Sequence, residues 1–182
     1  MHTRLLTAVL AAVFVCGCSA SSVQRPAPSS ESPLENRAVA APQPARGSDE
    51  DEVRLAVYRY LVDHNASGVQ TGAPFVCLEI NQNDQARDPS PFIITAMSKS
   101  RPRAVPVSAC ESSSEGVFLK SDRAKGRGLV FRTEDVKIDG DKATVTGGYF
   151  EAGLSASGNI YTLERQRDGT WLVTSDQMQW IS

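Results

Sequence analysis

The sequence is poor in the residues that build metal sites. It contains two histidines and four cysteines in 182 residues, and His64 is the only histidine beyond the first few positions. A structural zinc site needs about four Cys or His ligands at short spacings, and no such grouping occurs here. The run from Asn81 to Asp84 and the pair Asp139 and Asp141 lack the glycine and the distal glutamate of a calcium loop. We therefore expect no metal and no cofactor, and interpret these polar runs as solvated turns.

The sequence also lacks an excess of positive charge. Its 19 Lys and Arg residues stand against 21 Asp and Glu residues, so the formal net charge is -2. Proteins that bind nucleic acid neutralise phosphates with a basic patch, and no basic stripe is present here. Nucleic acid is therefore not an expected partner. With 41% hydrophobic and 22% charged residues, the composition is that of a globular protein.

The N-terminal residues have the order of a secretory leader. Met1 to Arg4 is positively charged, and the apolar run Leu5 to Val15 is shorter than the roughly 20 residues that span a bilayer. The run ends in Val15-Cys16-Gly17-Cys18, which resembles a bacterial lipobox, where a small residue precedes the cysteine that receives the lipid. The resemblance implies a lipoprotein signal peptide over residues 1–17.

The lipobox resemblance also implies where the protein resides. Cys18 becomes the lipid-bearing first residue of the mature chain, which holds the protein on a membrane. Residue 19 is a serine and not an aspartate, and in lipoproteins of this kind a serine there implies sorting to the outer membrane. The remainder of the chain would then face the periplasm.

Residues 18–47 are predicted to be the lipidated cysteine and a disordered linker. The segment is rich in proline, serine and alanine and has almost no bulky apolar residue, so burial cannot offset the entropy lost on ordering. It separates the anchor from a single domain at residues 48–182.

Two cysteines remain in the predicted domain. Cys77 and Cys110 have no histidines beside them, which disfavours a metal site. In an oxidising compartment two leftover thiols in one small domain favour a disulfide bond. We therefore predict a bond between Cys77 and Cys110.

The first half of the domain reads as a helix and a few short elements. Ser48 is a predicted N-cap, and Val53, Val57 and Leu61 recur at helical spacing before a stop at Asn65 to Gly68. A buried strand is predicted at Phe75 to Ile80. A short helix follows, opened by Asp88-Pro89 and running to about Lys99. Arg101 to Ala109 is then an edge strand or extended loop.

The second half, from Leu129 onward, reads as an antiparallel meander. The apolar phase changes near Thr133 to Asp135, which predicts a bulge. Asp139-Gly140-Asp141 favours a two-residue turn. In the last hairpin, the apolar residues share one face only if Arg165 pairs with Trp171. This register predicts a three-residue loop, Arg167-Asp168-Gly169, in which Gly169 has the left-handed conformation.

These elements predict an α+β fold in which an N-terminal helix packs on a strongly bent antiparallel β-sheet meander. The helix, the meander and the closing strands around Asp168–Val173 and Met178–Ile181 resemble the cystatin-like folds, including the nuclear-transport-factor-two-like superfamily. Members of that class include isomerases and plain binding modules, so the resemblance alone selects no activity.

No segment carries a complete catalytic motif. Gly153 to Ser157 lacks the second glycine of a nucleophile elbow, and we assign no catalytic residue. The alternative is a small-molecule enzyme of the cystatin-like fold with a carboxylate base in a cavity between helix and sheet. The groups that could line that cavity are Asp63, His64, Tyr60 and Glu151.

A second resemblance favours binding. Ser157-Gly158-Asn159-Ile160-Tyr161 is similar to the Ser-Gly-x-x-Tyr signature of bacterial envelope inhibitors of lysozyme. It implies a non-catalytic periplasmic binding domain, with a lysozyme-type peptidoglycan hydrolase as a possible partner. The predicted contacts are Ser155, Ser157, Gly158 and Tyr161, on a loop from Gly153 to Asn159. The other interpretation, in which Gly158 serves only a turn and Tyr161 is core, remains open at this point.

The first prediction concerns the anchor. Replacing Cys18 by alanine should leave a soluble or uncleaved precursor without the diacylglyceryl mass, because Cys18 is the residue to which the lipobox resemblance assigns the lipid. Membrane fractionation and intact-mass measurement would check this. A normally acylated product from Cys18→Ala would disprove the assignment.

Overall fold

The computed structural model describes residues 46–69 and 72–182. The predicted signal peptide, Cys18 and nearly all of the predicted linker lie outside the described residues. Within the described part, neither helix combines the length and the hydropathy needed to cross a bilayer.

Two α-helices and nine β-strands make up the described part. The helices are α1 (Asp49–His64) and α2 (Pro91–Met97). The strands of the first half are β1 (Phe75–Gln82), β2 (Gln85–Arg87), β3 (Arg103–Pro106), β4 (Cys110–Ser113) and β5 (Gly116–Leu119). The strands of the second half are β6 (Leu129–Asp139), β7 (Lys142–Ala152), β8 (Ser155–Arg165) and β9 (Trp171–Ile181).

Helix α1 begins where the sequence predicts it. The Oγ atom of Ser48 accepts a hydrogen bond from the backbone N–H of Asp51, which satisfies one of the free donors of the first turn. Four acidic residues fill that turn, where the helix dipole favours negative charge. The helix ends at His64, and Asn65 donates its backbone N–H to the carbonyl oxygen of Leu61.

The sheet is mixed, which corrects the prediction of a purely antiparallel one. Its order is β2-β1-β6-β7-β8-β9, and β3 also pairs with β1. Strand β1 lies parallel to both β3 and β6, while β6 to β9 form the predicted antiparallel meander. The parallel pairs arise because the connections from β1 to β3 and from β3 to β6 each return the chain to the end at which β1 began. An α+β architecture is therefore confirmed, with a different sheet.

The turns and registers of the meander follow the prediction. The register of β6 shifts between Thr133 and Val136, where the bulge was expected. Asp139 pairs with Lys142 across a two-residue turn. Arg165 pairs with Trp171, and Gly169 has a φ of 84°, which is the left-handed conformation that the three-residue loop requires.

Helix α2 is shorter than predicted and begins later. Its N-cap is Ser90, whose Oγ atom accepts from the N–H of Ile93, and Pro91 opens the helix. Asp88 was the predicted cap, but its carboxylate instead accepts from the backbone N–H of Ser108. The carboxylate of Asp88 is therefore bonded to the Ser108 backbone, and Ser90 caps the helix instead.

The two faces of the sheet carry separate apolar clusters, because successive side chains of a strand point to opposite faces. Val76, Leu78 and Phe131 lie on the face that α1 and α2 cover, in the main core. Phe75, Cys77 and Val130 lie on the opposite face, in a smaller core together with Cys110 and Val117. We call this opposite side the outer face.

The predicted bond between Cys77 and Cys110 is present. It joins the buried strand β1 to the first residue of the β4–β5 hairpin. Because Cys110 and Val117 belong to the smaller core, the bond holds the hairpin over part of the outer face.

A buried arginine fixes α1 on the sheet at the β6 bulge. Nη1 of Arg54 donates to the Oγ1 atom of Thr133 at 2.9 Å and to the carbonyl oxygen of Glu134 at 2.8 Å. Its Nη2 atom donates to Glu50 Oε1 at 2.6 Å. These bonds satisfy a carbonyl group that the bulge removes from the strand ladder.

Tyr58 makes a second bond across the same interface. Its hydroxyl donates to the carbonyl oxygen of Glu79 at 2.6 Å and lies 2.9 Å from Thr133 Oγ1. Burial raises the pKa of the Tyr58 phenol well above its usual range. The protonated phenol therefore stabilises the fold below the ordinary tyrosine pKa of about 10, and this contribution is lost as the pH rises through the folded-state value.

The disulfide gives the second prediction. Reduction, or a Cys77→Ala and Cys110→Ala double variant, should lower the free energy of unfolding by about 3 kcal/mol, because the bond closes a loop between residues 33 positions apart. Urea unfolding followed by circular dichroism would measure the loss. Two free thiols in a non-reducing peptide map of the wild-type protein would contradict the assignment.

Candidate functional site

The predicted binding loop from Gly153 to Asn159 is not a loop. Strand β7 ends at Ala152 and β8 begins at Ser155, so only Gly153 and Leu154 form the turn. Ser155 and the residues after it pair with β7, and those from Ser157 onward also pair with β9. The prediction of a loop was wrong because strand pairing on both sides overrides the weak β-propensity of small residues.

The four predicted contact residues occupy different environments. Tyr161 is 1% exposed and lies in the main core, and Ser157 is 6% exposed. Ser157 pairs with Tyr149, a residue of that core, so the Ser157 side chain lies on the helix-covered face. Ser155 donates to Glu151, and Gly158 lies on the outer face. Their role as partner contacts stays a prediction.

Glu151 is the buried carboxylate of the predicted enzyme alternative. Its Oε2 atom accepts hydrogen bonds from Ser67 Oγ at 2.7 Å and from Ser155 Oγ at 2.8 Å. Ser67 also accepts from the backbone N–H of Val69, so this group ties the segment after α1 to β7 and β8. The carboxylate has structural partners on both sides.

Tyr60 and His64, two other members of the enzyme alternative, lie together on α1. Their rings stack with centroids 4.2 Å apart, and Nδ1 of His64 is 3.0 Å from the carbonyl oxygen of Tyr60. Asp63 is exposed. Within the described residues, no hydrogen bond or ion pair joins any of these three to Glu151, so the four predicted groups do not form one site.

A different polar cluster lies where α1 meets β8 and β9. The Nδ2 atom of Asn159 donates to Asp176 Oδ1 at 2.5 Å, while its buried Oδ1 atom has no partner within the described part of the chain. The Tyr60 ring meets Tyr161 edge-on with centroids 5.9 Å apart. Burial raises the pKa of Tyr60, and the negative charge of Asp176 and a hydrogen bond to it raise it further. Burial, Asp176 and Tyr60 likewise raise the pKa of Tyr161.

The outer face carries a row of five residues in direct register. The pairs are Glu79 with Arg132, Arg132 with Gly148, Gly148 with Gly158, and Gly158 with Trp180. A carboxylate and a guanidinium therefore occupy one end of the row and an indole the other. The two glycines between them add no side chain to this face of β7 and β8.

A small open cavity of about 100 Å³ lies over this row, and we call it the slot. Its lining combines the glycine floor, charged and polar groups, and aromatic side chains; these are Arg132, Glu134, Thr146, Gly147, Gly148, Tyr149, Phe150, Ala156, Ser157, Gly158 and Trp180. The side chain of Arg132 is 42% exposed, whereas that of its partner Glu79 is only 7% exposed. The guanidinium therefore remains accessible while its partner is buried.

The two floor glycines are required for different reasons. A Cβ atom on Gly148 would overlap the backbone carbonyl oxygen of Ser157. A Cβ atom on Gly158 would overlap ring atoms of Trp180, because the indole covers the backbone at that position. Gly148 is thus needed by the sheet itself, and Gly158 allows Trp180 to rest on the floor.

The edge strand β9 is apolar and exposed. Leu172, Met178, Trp180 and Ile181 are each exposed by half or more, at 54%, 50%, 54% and 56%. We call these four residues the β9 patch. Three of them lie within the last four residues of the strand, and exposed apolar side chains close together are typical of an interaction surface.

Sequence analysis missed Asn159, Asp176 and the row that ends at Trp180. Counting residues outward from the Gly153-Leu154 turn would have brought Gly148 close to Gly158. The exposure of Trp180 had no such signal, since its neighbours Met178 and Ile181 suggest an ordinary buried strand.

The polar cluster gives the third prediction. Asp176→Asn should make Tyr60 ionise at lower pH, because a nearby carboxylate disfavours the phenolate and the amide carries no charge. Absorbance at 295 nm from pH 8 upward would follow the ionisation. Asp139→Asn, in the exposed β6–β7 turn, is the matched control and should leave the curve unchanged. Superimposable curves for Asp176→Asn and the wild type would refute the link.

Comparison of the chain with protein-family models, with curated proteins and with solved structures finds no match.

Proposed function

We propose that this chain is a lipid-anchored protein of the bacterial cell envelope whose domain at residues 48–182 binds a protein partner along β9 without catalysing a reaction. Anchoring through Cys18 at the outer membrane rests on the lipobox resemblance and on the leader and linker before the domain. The observation that carries the binding role is the β9 patch, which leaves four large apolar side chains in water at one edge of the sheet.

The two edges of the sheet differ in how they are protected. At one edge β2 has three residues, and β3 has four and ends at Pro106. Short strands and prolines prevent unwanted pairing at an edge. Strand β9 has 11 residues, no proline and one charged residue, Asp176. Two register shifts interrupt its pairing with β8, but its length leaves an open edge that suits the addition of an extended segment from a partner.

The partner class that we propose is a peptidoglycan hydrolase of the lysozyme type. This rests on the Ser157-Gly158-x-x-Tyr161 resemblance and on the proposed envelope location. The buried side chains of Ser157 and Tyr161 favour contact through the β9 patch, with those two residues supporting the strand beside it.

We also propose that the fold belongs to the cystatin-like class. An N-terminal helix lying across a four-stranded antiparallel meander supports this assignment. The parallel pairing of β1 with β6 extends the sheet beyond that meander.

The fourth prediction tests docking on β9. A photo-crosslinking residue at Met178, in the full-length protein expressed in its bacterial host, should yield a discrete crosslinked product, because a partner strand would lie against that side chain. Mass spectrometry of the product identifies the partner and shows whether it is a peptidoglycan hydrolase. The same probe at Ile138, an apolar residue 39% exposed on β6, is the control and should give none.

Two results would count against the proposal. Products of equal yield from Met178 and Ile138 would show nonspecific contact. The absence of a product from all four positions of the β9 patch would remove β9 as the docking strand, whereas a partner other than a hydrolase would remove only the proposed partner class.

A further inference from the structure

We propose that the slot on the outer face binds one pyranose ring of a neutral glycan, with a C–H face of the ring against Trp180 and its hydroxyl groups bonded to Arg132 and Glu134. The chemistry of the slot carries this inference. Only the source of the glycan, the cell wall, rests on the function proposed above.

The floor of the slot has room for a ring. Neighbouring strands lie about 4.8 Å apart, and the indole of Trp180 rests over Gly158, so the backbone at Gly148 on the next strand forms the part of the floor beside the indole. The cavity of about 100 Å³ is smaller than the roughly 150 Å³ engineered cavity that encloses benzene. A single ring can therefore sit partly in the slot, while neighbouring sugars pass over the surface.

One wall of the slot is an aromatic surface in a fixed place. Gly158 allows the indole of Trp180 to lie on the backbone, and the side chain is nevertheless 54% exposed. The covered part of the ring holds its orientation, and the uncovered part is available to a ligand. Apolar C–H groups of a sugar can pack on that exposed part of the ring.

The charges of the slot favour a neutral ligand. Arg132 and Glu134 line the slot with one charge of each sign, and Glu79, which is buried beside Arg132 outside the lining, adds a second negative charge next to it. An anion would meet this excess of negative charge, and a cation would meet the exposed guanidinium. A hydroxyl group both donates and accepts, so adjacent ring hydroxyls can accept from Arg132 and donate to Glu134.

The fifth prediction uses the fact that the chain has only two tryptophans, Trp171 and Trp180. Trp171 is 7% exposed and lies in the main core, so it serves as an internal reference. In the full chain carrying Cys18→Ala to prevent lipidation, titration with chitotetraose should move the indole N–H signal of Trp180 in a saturable way. The signal of Trp171 should stay in place in the same two-dimensional NMR spectra.

Two variants and one control sharpen the test. Gly158→Ala should weaken chitotetraose binding at least tenfold, because a methyl group displaces the indole, and Trp180→Leu should abolish binding. Ile138→Ala, which removes a partly exposed apolar side chain on β6 outside both the slot and the β9 patch, should bind within twofold of the parent. If Gly158→Ala loses the native Trp171 signal, Trp180→Leu is judged alone, with binding detected by calorimetry.

Several outcomes would overturn the proposal. A Trp180 signal that stays fixed up to about 10 mM chitotetraose excludes glycan affinity of the usual weak range. A shift caused by N-acetyl-leucinamide but not by the sugar would assign the slot to a partner side chain instead. Undiminished binding in Trp180→Leu would place the glycan elsewhere. Each of these leaves crosslinking at Met178 unaffected, so failure here is distinct from failure of the docking proposal.

Discussion

The structure depends on the contact between α1 and the β6 bulge. Arg54 and Tyr58, one turn apart on the helix, both reach Thr133, and Arg54 also satisfies the carbonyl oxygen of Glu134. A buried guanidinium is unfavourable without partners, and the bulge supplies those partners at a point where the strand ladder is broken. Helix position and bulge position therefore specify each other, and the main core fills around this contact.

The alternation of side chains along β6 before the bulge determines what the outer face presents. Phe131 enters the main core while Val130 and Arg132 point outward. The disulfide-linked hairpin covers the part of the outer face around Val130. Arg132, the next residue of β6 that points outward, lines the open slot. The slot lies where the hairpin cover ends, so the Cys77 to Cys110 bond separates a closed part of the outer face from an accessible part.

Sequence reasoning succeeded where local chemistry decides the structure. Ser48 caps α1, the bulge lies near Thr133, and Gly169 closes a three-residue loop, because each depends on neighbours within a few positions. It failed where distant segments decide. The parallel pairing of β1 with β6 has no local signal, and the small residues from Ser155 to Asn159 became a strand through pairing partners that their own propensity does not reveal.

The two faces differ in whether their polar groups are already hydrogen-bonded within the domain or are still exposed to a ligand. On the helix-covered face, Glu151 is engaged by two serines and Asp176 by Asn159, so binding a substrate there would require breaking existing bonds. On the outer face, Arg132 and Trp180 remain about half exposed although each is held in place. Preorganised groups that stay accessible bind at a lower entropic cost than groups that must first be released. This difference favours the outer face over the helix-covered face for the ligand binding proposed above.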